Sequence, residues 1–440
     1  MSADDTRDGR LSRRSFAIIF CVSIATALGN TGMQSVLPAI GRQIGFPDFS
    51  VSAIFSLSAL LWAFASPIWA VQSDRRGRKP LMVLGLAGFM VSMICCGFVV
   101  GAGVRHLAAP LAIFVLFLLS RALFGLFGSA SNPATQAYVA ERTEREERTT
   151  AMASLAGAFG LGTIIGPAIA PAFVLPVVGL AGPMFAFAVI AAIMIIVVLR
   201  WLPEARVAES LAEARGSPAA KVRGTPSRSL IRDPRLTPFL IYGFLVATAQ
   251  TAQGQVLGFL IIDKLKLPPL QAQGYTAVAM MAGAIAGLLA QWGLIRMFRM
   301  TPRDLLRWGA GLAAVANLLV AYAPNYSTVV LGYALSSLGY GFCRPGFTAG
   351  SSLAVGQSEQ ARTAGAIAAV NGVNVILAPL FVLVYGLWRP APFVINAVVL
   401  AALLIYALAN GVLASAGDDP ATEDDAAQSS LERSQEGVSV

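Results

Sequence analysis

Apolar residues occur along this chain in long runs that short polar stretches separate. Each run holds roughly 20 residues or more, the length that a helix needs to cross a hydrocarbon core ~30 Å thick. The pattern predicts twelve membrane-spanning helices, over residues 15–40, 51–73, 81–103, 109–138, 150–177, 182–202, 237–262, 272–296, 305–323, 327–354, 363–387 and 392–414.

The composition agrees with a membrane protein. Of the 440 residues, 56% are hydrophobic and 12% are charged, whereas soluble domains carry about 25% charged residues. The net charge of +9 would suit a nucleic-acid-binding protein, but the basic residues lie between apolar runs, as the flanks of membrane helices do. We therefore expect no nucleic-acid partner. The cysteines all lie inside apolar runs, which predicts free thiols and no metal site: Cys21, Cys95, Cys96 and Cys343.

The distribution of lysine and arginine predicts the orientation. With a cytoplasmic N-terminus, 25 of the 32 Lys and Arg residues fall in cytoplasmic segments and five in the opposite loops. Because positive residues favour the cytoplasmic side, we expect both termini to be cytoplasmic, as an even number of spans requires. The first apolar run is longer than the core of a signal peptide. We expect it to stay as the first helix of a multi-pass protein in the inner (plasma) membrane.

A polar segment near the middle divides the chain into two halves. We predict a cytoplasmic N-terminal segment, a six-helix bundle, a cytoplasmic linker, a second six-helix bundle and an acidic disordered tail, over residues 1–14, 15–202, 203–235, 236–414 and 415–440. Pro133 and Pro345 are 212 positions apart, and so are Pro167 and Pro379. This common offset indicates a duplicated unit, an architecture of many transporters.

A basic motif follows the second span, in the sequence AVQSDRRGRKPLM of residues 70–82. It resembles the G-x-L-a-D-R-x-G-R-[RK]-x-x-L signature of the major facilitator superfamily, with Ala70 and Gln72 in place of Gly and Leu. The resemblance implies an all-α integral membrane fold with twelve transmembrane helices in two pseudo-symmetric six-helix bundles. It also implies that the motif closes the cytoplasmic side when the protein opens outward, with Glu141 as the partner of Arg78. The matching residues are Asp74, Arg75, Gly77, Arg78 and Lys79.

Span four carries a charged residue, Arg121, inside its apolar run. The sequence there resembles the R-x-x-q-G motif of proton-driven exporters, with Phe124 in place of the Gln. A charge at this depth is costly and usually functional, so we expect Arg121 to serve proton coupling or substrate contact. The alternative is a structural arginine that backbone carbonyls or Asn132 satisfy.

Spans five and one carry motifs similar to those of exporters. Gly162, Gly166 and Pro167 in span five are similar to the G-x-x-x-G-P motif, although the later pair of glycines is absent. These glycines equally suit a close-packing helix face. Residues 28–38 are similar to the L-G-x5-P-x-x-P pattern, with Ser35 for the first Pro. Together the motifs resemble most closely those of the twelve-span drug:proton antiporters, which include the tetracycline exporters.

Polar residues inside apolar spans are candidates for a substrate cavity, which we expect near the membrane midplane between the halves. In the superfamily, spans one, four, seven and ten line this cavity. Each candidate could equally bridge two helices or pack in the core. The cavity candidates are Asn30, Gln34, Phe124, Asn132, Gln250, Gln253, Asn371 and Asn374, with Gln255, Phe127, Tyr340 and Phe342 as further candidates and Arg344 grouped with Arg121.

No acidic residue lies deep in a predicted span. Asp74 and Glu141 are expected at the cytoplasmic face, and Asp48 and Asp263 near the opposite face. Many antiporters bind their proton at a buried carboxylate whose pKa is raised by desolvation. Either Asp74, Glu141 or Asp263 handles the protons here, or transport is not coupled to them.

These features predict a secondary transporter that exports small amphipathic molecules by alternating access in exchange for protons. Two buried arginines and the lack of an acidic cavity wall favour neutral, zwitterionic or anionic substrates over strongly cationic ones. The alternative is an importer of a nutrient or other small metabolite on the same fold. The sequence shows no nucleophile motif or phosphate loop, so we expect neither an enzyme nor a cofactor. We expect a monomer in contact with lipid.

Overall fold

The computed structural model describes residues 11–416, except 144, 176, 204–232, 356–362, 364–365, 368–369 and 371–373. The described chain is almost entirely helical, and its β-structure is a single bridge between Leu175 and Gly179. The predictions for the N-terminal segment, most of the linker, most of the acidic tail and Asn371 fall outside these residues.

The N-terminal half is built from long helices. In the described residues they are α1 (Arg13–Ile44), α2 (Asp48–Arg76), α3 (Arg78–Val104), α4 (Pro110–Phe127), α5 (Ser131–Glu141), α6 (Arg145–Ile169) and α7 (Gly182–Trp201). A 3-10 turn, Gly128–Ala130, joins α4 to α5, and another, Ala170–Phe173, follows α6.

The C-terminal half repeats this arrangement. Its described helices are α8 (Thr237–Leu265), α9 (Pro269–Leu288), α10 (Ile295–Met297), α11 (Pro302–Ala321), α12 (Tyr326–Leu353), α13 (Ala378–Leu387), α14 (Ala391–Ala409) and α15 (Gly411–Ala414). A π-helical turn, Leu289–Leu294, joins α9 to α10, and a 3-10 turn, Asn374–Leu377, precedes α13. The fifth span of each half is thus interrupted by a 3-10 turn close to its proline, Pro167 or Pro379.

The helices coincide in position with the predicted apolar runs, but they differ in length and apolarity. Among the described residues, nine helices are long and apolar enough to cross a membrane. The predicted fifth and eleventh spans contain shorter apolar helices, Gly157–Phe173 and Asn374–Leu387. The tenth, α12, has 28 residues and includes Arg344.

Helix ends extend beyond the apolar runs because backbone capping decides where they stop. α1 begins after Ser12, whose side chain accepts a hydrogen bond from Ser15 N, and it ends at Gly45 with a φ of 89°. Glycine adopts this left-handed conformation without strain, so it terminates helices readily. α1 therefore runs to Ile44 although its apolar run ends near residue 40.

The two halves meet at one end of the bundle and separate at the other. α1 and α6 pack against α9, and α2 packs against α13. One buried cluster contains residues of both halves, among them Leu37 and Val51 together with Phe259. We call this the Arg42 end, after the arginine in the last turn of α1. At the opposite, Arg78 end, the buried clusters are separate: one holds residues 18–202 and another residues 239–416.

Candidate functional site

Charged side chains tie the halves together at the Arg42 end. Arg42 donates from Nε to Asp48 Oδ1 (3.1 Å) and from Nη2 to Asp48 Oδ2 (2.7 Å). It also hydrogen-bonds to Asp263 near the end of α8. Asp263 accepts from Tyr385 Oη (2.6 Å) and lies 3.4 Å from Arg389 Nε. We call these five residues the Arg42 cluster. Because Arg42 and Asp263 belong to different halves, the cluster closes this end.

Further contacts between the halves lie next to the Arg42 cluster. Ser52 Oγ donates to Gln255 Oε1 (3.2 Å), and Ser56 Oγ donates to the carbonyl oxygen of Val375 (2.9 Å). α1 and α8 also approach closely, since a β-carbon added at Gly258 would lie 2.6 Å from Pro38 Cγ. The halves are therefore sealed against each other on this side.

Toward the Arg78 end, the interior helices carry exposed polar side chains. Asn132 and Gln136 are exposed on α5, and Arg344 and Thr348 are exposed in the last third of α12. α5 and α12 belong to the predicted spans four and ten, which we expect to line the cavity. A polar side chain on such a helix is exposed where water fills the cavity. From these exposed side chains and the separate buried clusters we infer a cleft between the halves toward the Arg78 end.

This cleft corrects the prediction that Arg344 is buried. Its residue surface is exposed, although it lies within the predicted tenth span. A charged side chain in a membrane protein is tolerated where it faces a water-filled cavity.

Arg121, by contrast, is buried, with 1% of its surface exposed. Its Nη2 donates to Asn30 Oδ1 on α1 (2.7 Å). Its guanidinium carbon lies over two aromatic rings, 5.1 Å from the centroid of Phe55 and 4.5 Å from that of Phe124. Nε and Nη1 have no hydrogen-bond partner among the described residues. Asn132 is not its partner, contrary to the predicted alternative, since Asn132 Oδ1 accepts from Gln136 on its own helix.

A pocket lies beside Arg121 at the contact between the halves. α1, α2, α8 and α9 line it, and Phe55 belongs both to this pocket and to the surroundings of Arg121. We call it the central pocket. It has a volume of about 20 Å³, the space of about one water molecule, and its walls are both polar and apolar. Its lining residues include Gln34, Gln255 and Thr276 as polar groups and Leu37, Val51, Phe55 and Met280 as apolar groups.

The other polar cavity candidates occupy different places. Gln253 is buried, and its Nε2 donates to Ser336 Oγ (2.5 Å), so it joins α8 to α12 within the C-terminal half. Gln250 is half-buried on α8. Asn374 is buried at the 3-10 turn before α13, and its Oδ1 has no partner among the described residues.

Of the aromatic candidates, Phe124 lies next to Arg121, and the other three contact different groups. The ring of Phe127 is 6.1 Å from that of Trp69. Tyr340 Oη accepts from Asn317 Nδ2 (3.1 Å) inside the C-terminal half. Phe342 belongs to a small buried cluster with Ala290 and Leu305.

A second charged cluster lies at the Arg78 end. Arg78 donates from Nε to Glu141 Oε1 (3.0 Å) and from Nη1 to Ser73 Oγ (3.0 Å), and its Nη1 lies 2.5 Å from Asp74 Oδ1. We call Asp74, Arg78 and Glu141 the Arg78 cluster. It contains the pairing of Arg78 with Glu141 that the sequence predicts, and it joins α2, α3 and α5 of one half. Its role as a gate stays a prediction.

The remaining motif residues shape the turn between α2 and α3. Gly77 separates the two helices with a φ of 97°, a conformation that favours glycine. Lys79 Nζ donates to the carbonyl oxygen of Leu199 (2.9 Å) at the end of α7, and Arg75 is exposed.

Sequence reasoning missed the Arg42 cluster and Phe55. Asp48 and Asp263 were expected near the same face, but their contacts with Arg42 were not. A signal was present, since Arg42 and Asp263 lie near the ends of the first helices of the two halves. In a duplicated fold, those two helix ends meet at one face.

Comparison with known protein families identifies the family of this chain. The family model of the Major Facilitator Superfamily matches residues 19–379. The chain belongs to the Major Facilitator Superfamily. The predicted fold class is therefore confirmed, and the protein is a multi-pass membrane transporter of small molecules rather than an enzyme. No curated protein matches the chain in sequence.

Solved structures of other superfamily members share the fold. A POT family transporter in complex with 5-aminolevulinic acid is 15% identical, with a TM-score of 0.66 over 90% of this chain and 95% of that one. The nucleoside transporter NupG is 14% identical, with a TM-score of 0.68 over 89% of this chain and 98% of that one. The human organic anion transporter MFSD10 is 19% identical, with a TM-score of 0.61 over 90% and 99%. At these identities the likeness concerns the fold alone.

Proposed function

We propose that this superfamily member exports small amphipathic molecules, neutral, zwitterionic or anionic, by alternating access in exchange for protons. The observation that carries the proposal is the contrast between the two ends. The Arg42 cluster joins the halves at one end, while a cleft with exposed polar residues opens at the other. Alternating access requires this state and a second state in which the opposite end is open. The halves exchange between the two states by rocking about a central site.

The charge distribution supports a cytoplasmic position for the Arg78 end. Most lysines and arginines lie in the segments on that side, including the loop after α2 and the linker, and positive residues favour the cytoplasm. In this orientation both termini face the cytoplasm and the protein lies in the inner membrane. The cleft then opens to the cytoplasm, which is the side from which an exporter takes up its substrate.

The direction of transport rests on motifs rather than on the fold. Gly162, Gly166 and Pro167 in α6 match a pattern of exporters, and the motif around Arg121 resembles that of proton-driven antiporters. Peptide and nucleoside transporters share the fold as well, so uptake of a nutrient is the alternative that the experiment must separate.

Asp263 is the carboxylate that we propose for proton coupling. Asp74 and Glu141 lie in the Arg78 cluster, within one half. Asp263 instead contacts Arg42 across the two halves. A proton on Asp263 would remove the charge that holds Arg42, so its protonation would favour separation of the halves at the Arg42 end.

Transport in inside-out membrane vesicles tests direction and coupling together. The protein is expressed in a host that lacks its own major exporters, and its tolerance to a panel of antibiotics and biocides selects candidate substrates. Vesicles from that host, acidified inside, should accumulate a selected substrate, and a protonophore should abolish the accumulation. Asp263→Asn should lower the accumulation strongly at equal protein abundance.

Vesicles from the host without the protein are the control. Accumulation that a protonophore leaves unchanged would remove proton coupling from the proposal. Uptake of a nutrient into right-side-out vesicles, without any gain in tolerance, would establish the importer instead.

A further inference from the structure

A tryptophan of the C-terminal half faces the N-terminal half between α9 and α6. Trp292 lies in the π-helical turn Leu289–Leu294. A β-carbon built on Gly157, at the middle of α6, would lie 3.7 Å from Trp292 Cζ2, an ordinary van der Waals distance. Outside α6, no other described atom lies within 4 Å of that position. The gap between the indole ring and α6 therefore has the size of one methyl group.

The π-helical turn directs Trp292 away from its own half. Gly341 of α12 packs tightly against this stretch, since a β-carbon there would lie 2.8 Å from Ala290 Cβ and 3.1 Å from the carbonyl oxygen of Gly287. Trp292 follows Ala290 by two positions, roughly half a turn around a helix, so it points away from α12. Single π-helical turns are rare and are frequent at functional positions, which makes this turn a candidate for a conformational role.

Trp292 lies toward the Arg78 end of the contact between the halves. α9, the π-helical turn and α10 form one continuous helix from Pro269 to Met297. Pro269 closely follows Asp263 of the Arg42 cluster, whereas Trp292 is about 8 Å along the helix from its other end. Trp292 is 57% exposed. Its ring therefore lies at the edge of the interface between the halves and not inside it.

We propose that Trp292 is a wedge that keeps the halves apart at the Arg78 end. Alternating access requires this end to close, and α6 and α9 pack against each other across the halves. They can approach at Gly157 only by the width of a methyl group before the ring meets the backbone, which cannot turn aside. Closure therefore requires the ring to leave this space, and its exposed side gives it room to do so. The proposal rests on the alternating access proposed above, and it is independent of the substrate, the direction of transport and the proton.

Accessibility of the Arg42 end measures the balance between the two states, because that end opens when the Arg78 end closes. Ser52 is fully buried there and donates to Gln255 of the other half. A cysteine introduced by Ser52→Cys, in a background without the four native cysteines, reacts with a soluble maleimide when the end opens. The labelling rate of the purified full-length protein thus reports the population of that state.

Trp292→Ala should raise the labelling rate by about threefold or more, since the Arg78 end can then close without displacing a ring. Trp292→Phe, with a smaller ring, should give a smaller increase, and it keeps the test if Trp292→Ala fails to fold. Gly157→Ala fills the gap beside the indole and should lower the rate. In the Trp292→Ala background, Gly157→Ala should have little effect, because the space that the ring leaves accommodates the methyl group.

Trp308→Ala is the matched control. Trp308 is 69% exposed on α11, which packs against α12 and α14 of its own half, so its loss should leave the labelling rate unchanged. An unchanged or lower rate in the Trp292 variants would overturn the proposal. It would also be overturned if Gly157→Ala lowered the rate by the same factor with and without the indole. Labelling needs no substrate, so export in the vesicle assay stands or fails separately from the wedge.

Discussion

At the scale of single residues, three arginines in the helices show how environment decides what one side chain can do. Arg42 has two carboxylate partners from different helices. Arg78 has two carboxylate partners within one half. Arg121 has an amide and two aromatic rings, with free donors. The first arrangement joins the halves, the second fixes the turn between α2 and α3, and the third holds a buried charge against an amide and two aromatic rings.

The Arg78 cluster allows a test at this scale. Arg78→Gln removes the charge that holds Asp74 and Glu141, so the three helices that the cluster joins lose a fixed arrangement at the Arg78 end. We expect the transport rate to fall at least about tenfold, since hydrogen bonds between charged groups are worth roughly 1.5–3 kcal/mol each. The measurement is substrate flux in vesicles at equal protein abundance.

Arg76→Gln is the matched control for Arg78→Gln. Arg76 is the last residue of α2, two positions before Arg78, and is exposed, so its loss should leave the flux unchanged. If both substitutions lower the flux equally, these arginines act only through their positive charge, which sets the orientation of the protein in the membrane.

At the scale of whole helices, α6 shows how glycine spacing sets the distance between two helices. A β-carbon at Gly166 would lie 2.2 Å from the carbonyl oxygen of Leu28 and 2.8 Å from the backbone nitrogen of Gly32. Backbone atoms cannot turn aside as a side chain can. α1 and α6 therefore pack in contact through their backbones, as small residues allow in membrane helices.

Gly166→Ala should therefore destabilise the protein. Inserting a methyl group into a tight contact costs about 1–3 kcal/mol, and the midpoint of thermal unfolding in detergent should fall by several degrees. Gly160→Ala on the same helix should leave the midpoint unchanged or raise it slightly, because nothing lies within 4 Å of a β-carbon there. A fall of similar size in both variants would show that loss of glycine flexibility, rather than the contact with α1, is responsible.

At the scale of the whole molecule, the two halves are held together by contacts concentrated at the Arg42 end. Three kinds of contact lie at this end: the ion pairs of the Arg42 cluster, the hydrogen bond from Ser52 to Gln255, and the close approach of Gly258 to Pro38. Since the described clusters of the two halves are separate at the Arg78 end, weakening one group of contacts shifts the balance between the two end states.

Gly258→Ala should open the Arg42 end. Its methyl group would meet the rigid ring of Pro38 at 2.6 Å, so the halves must move apart. Ser52 is fully buried at this contact. A cysteine introduced by Ser52→Cys, in a background without the four native cysteines, should react faster with a soluble maleimide when Gly258→Ala is present. Asp263→Asn should have the same effect.

Gly254→Ala, one turn earlier on α8, is the control for this experiment. A β-carbon at Gly254 has nothing within 4 Å, so the labelling rate should stay at that of Ser52→Cys alone. Unchanged labelling in the Gly258→Ala and Asp263→Asn variants would mean that the Arg42 end is held by its apolar core and not by these contacts.

Sequence patterns predict the membrane fold and much of its local structure. Long apolar runs specify helices that span a bilayer because each helix satisfies its own backbone hydrogen bonds. The motif after α2 predicted the contact between Arg78 and Glu141, since both lie at helix ends that the superfamily fold brings to one face. Helix ends were less accurate, because caps such as Gly45 decide them.

Contacts between residues that are distant in sequence depend on the tertiary structure. Arg42 and Asp263 are 221 positions apart, and no local pattern fixes a contact over that separation. The same holds for Arg121, whose partner proved to be Asn30 on α1 rather than the nearby Asn132. Arg344 is exposed although it lies within an apolar run, which the sequence pattern does not predict. Apolar periodicity is a property of one helix, whereas burial and pairing depend on how two halves pack together.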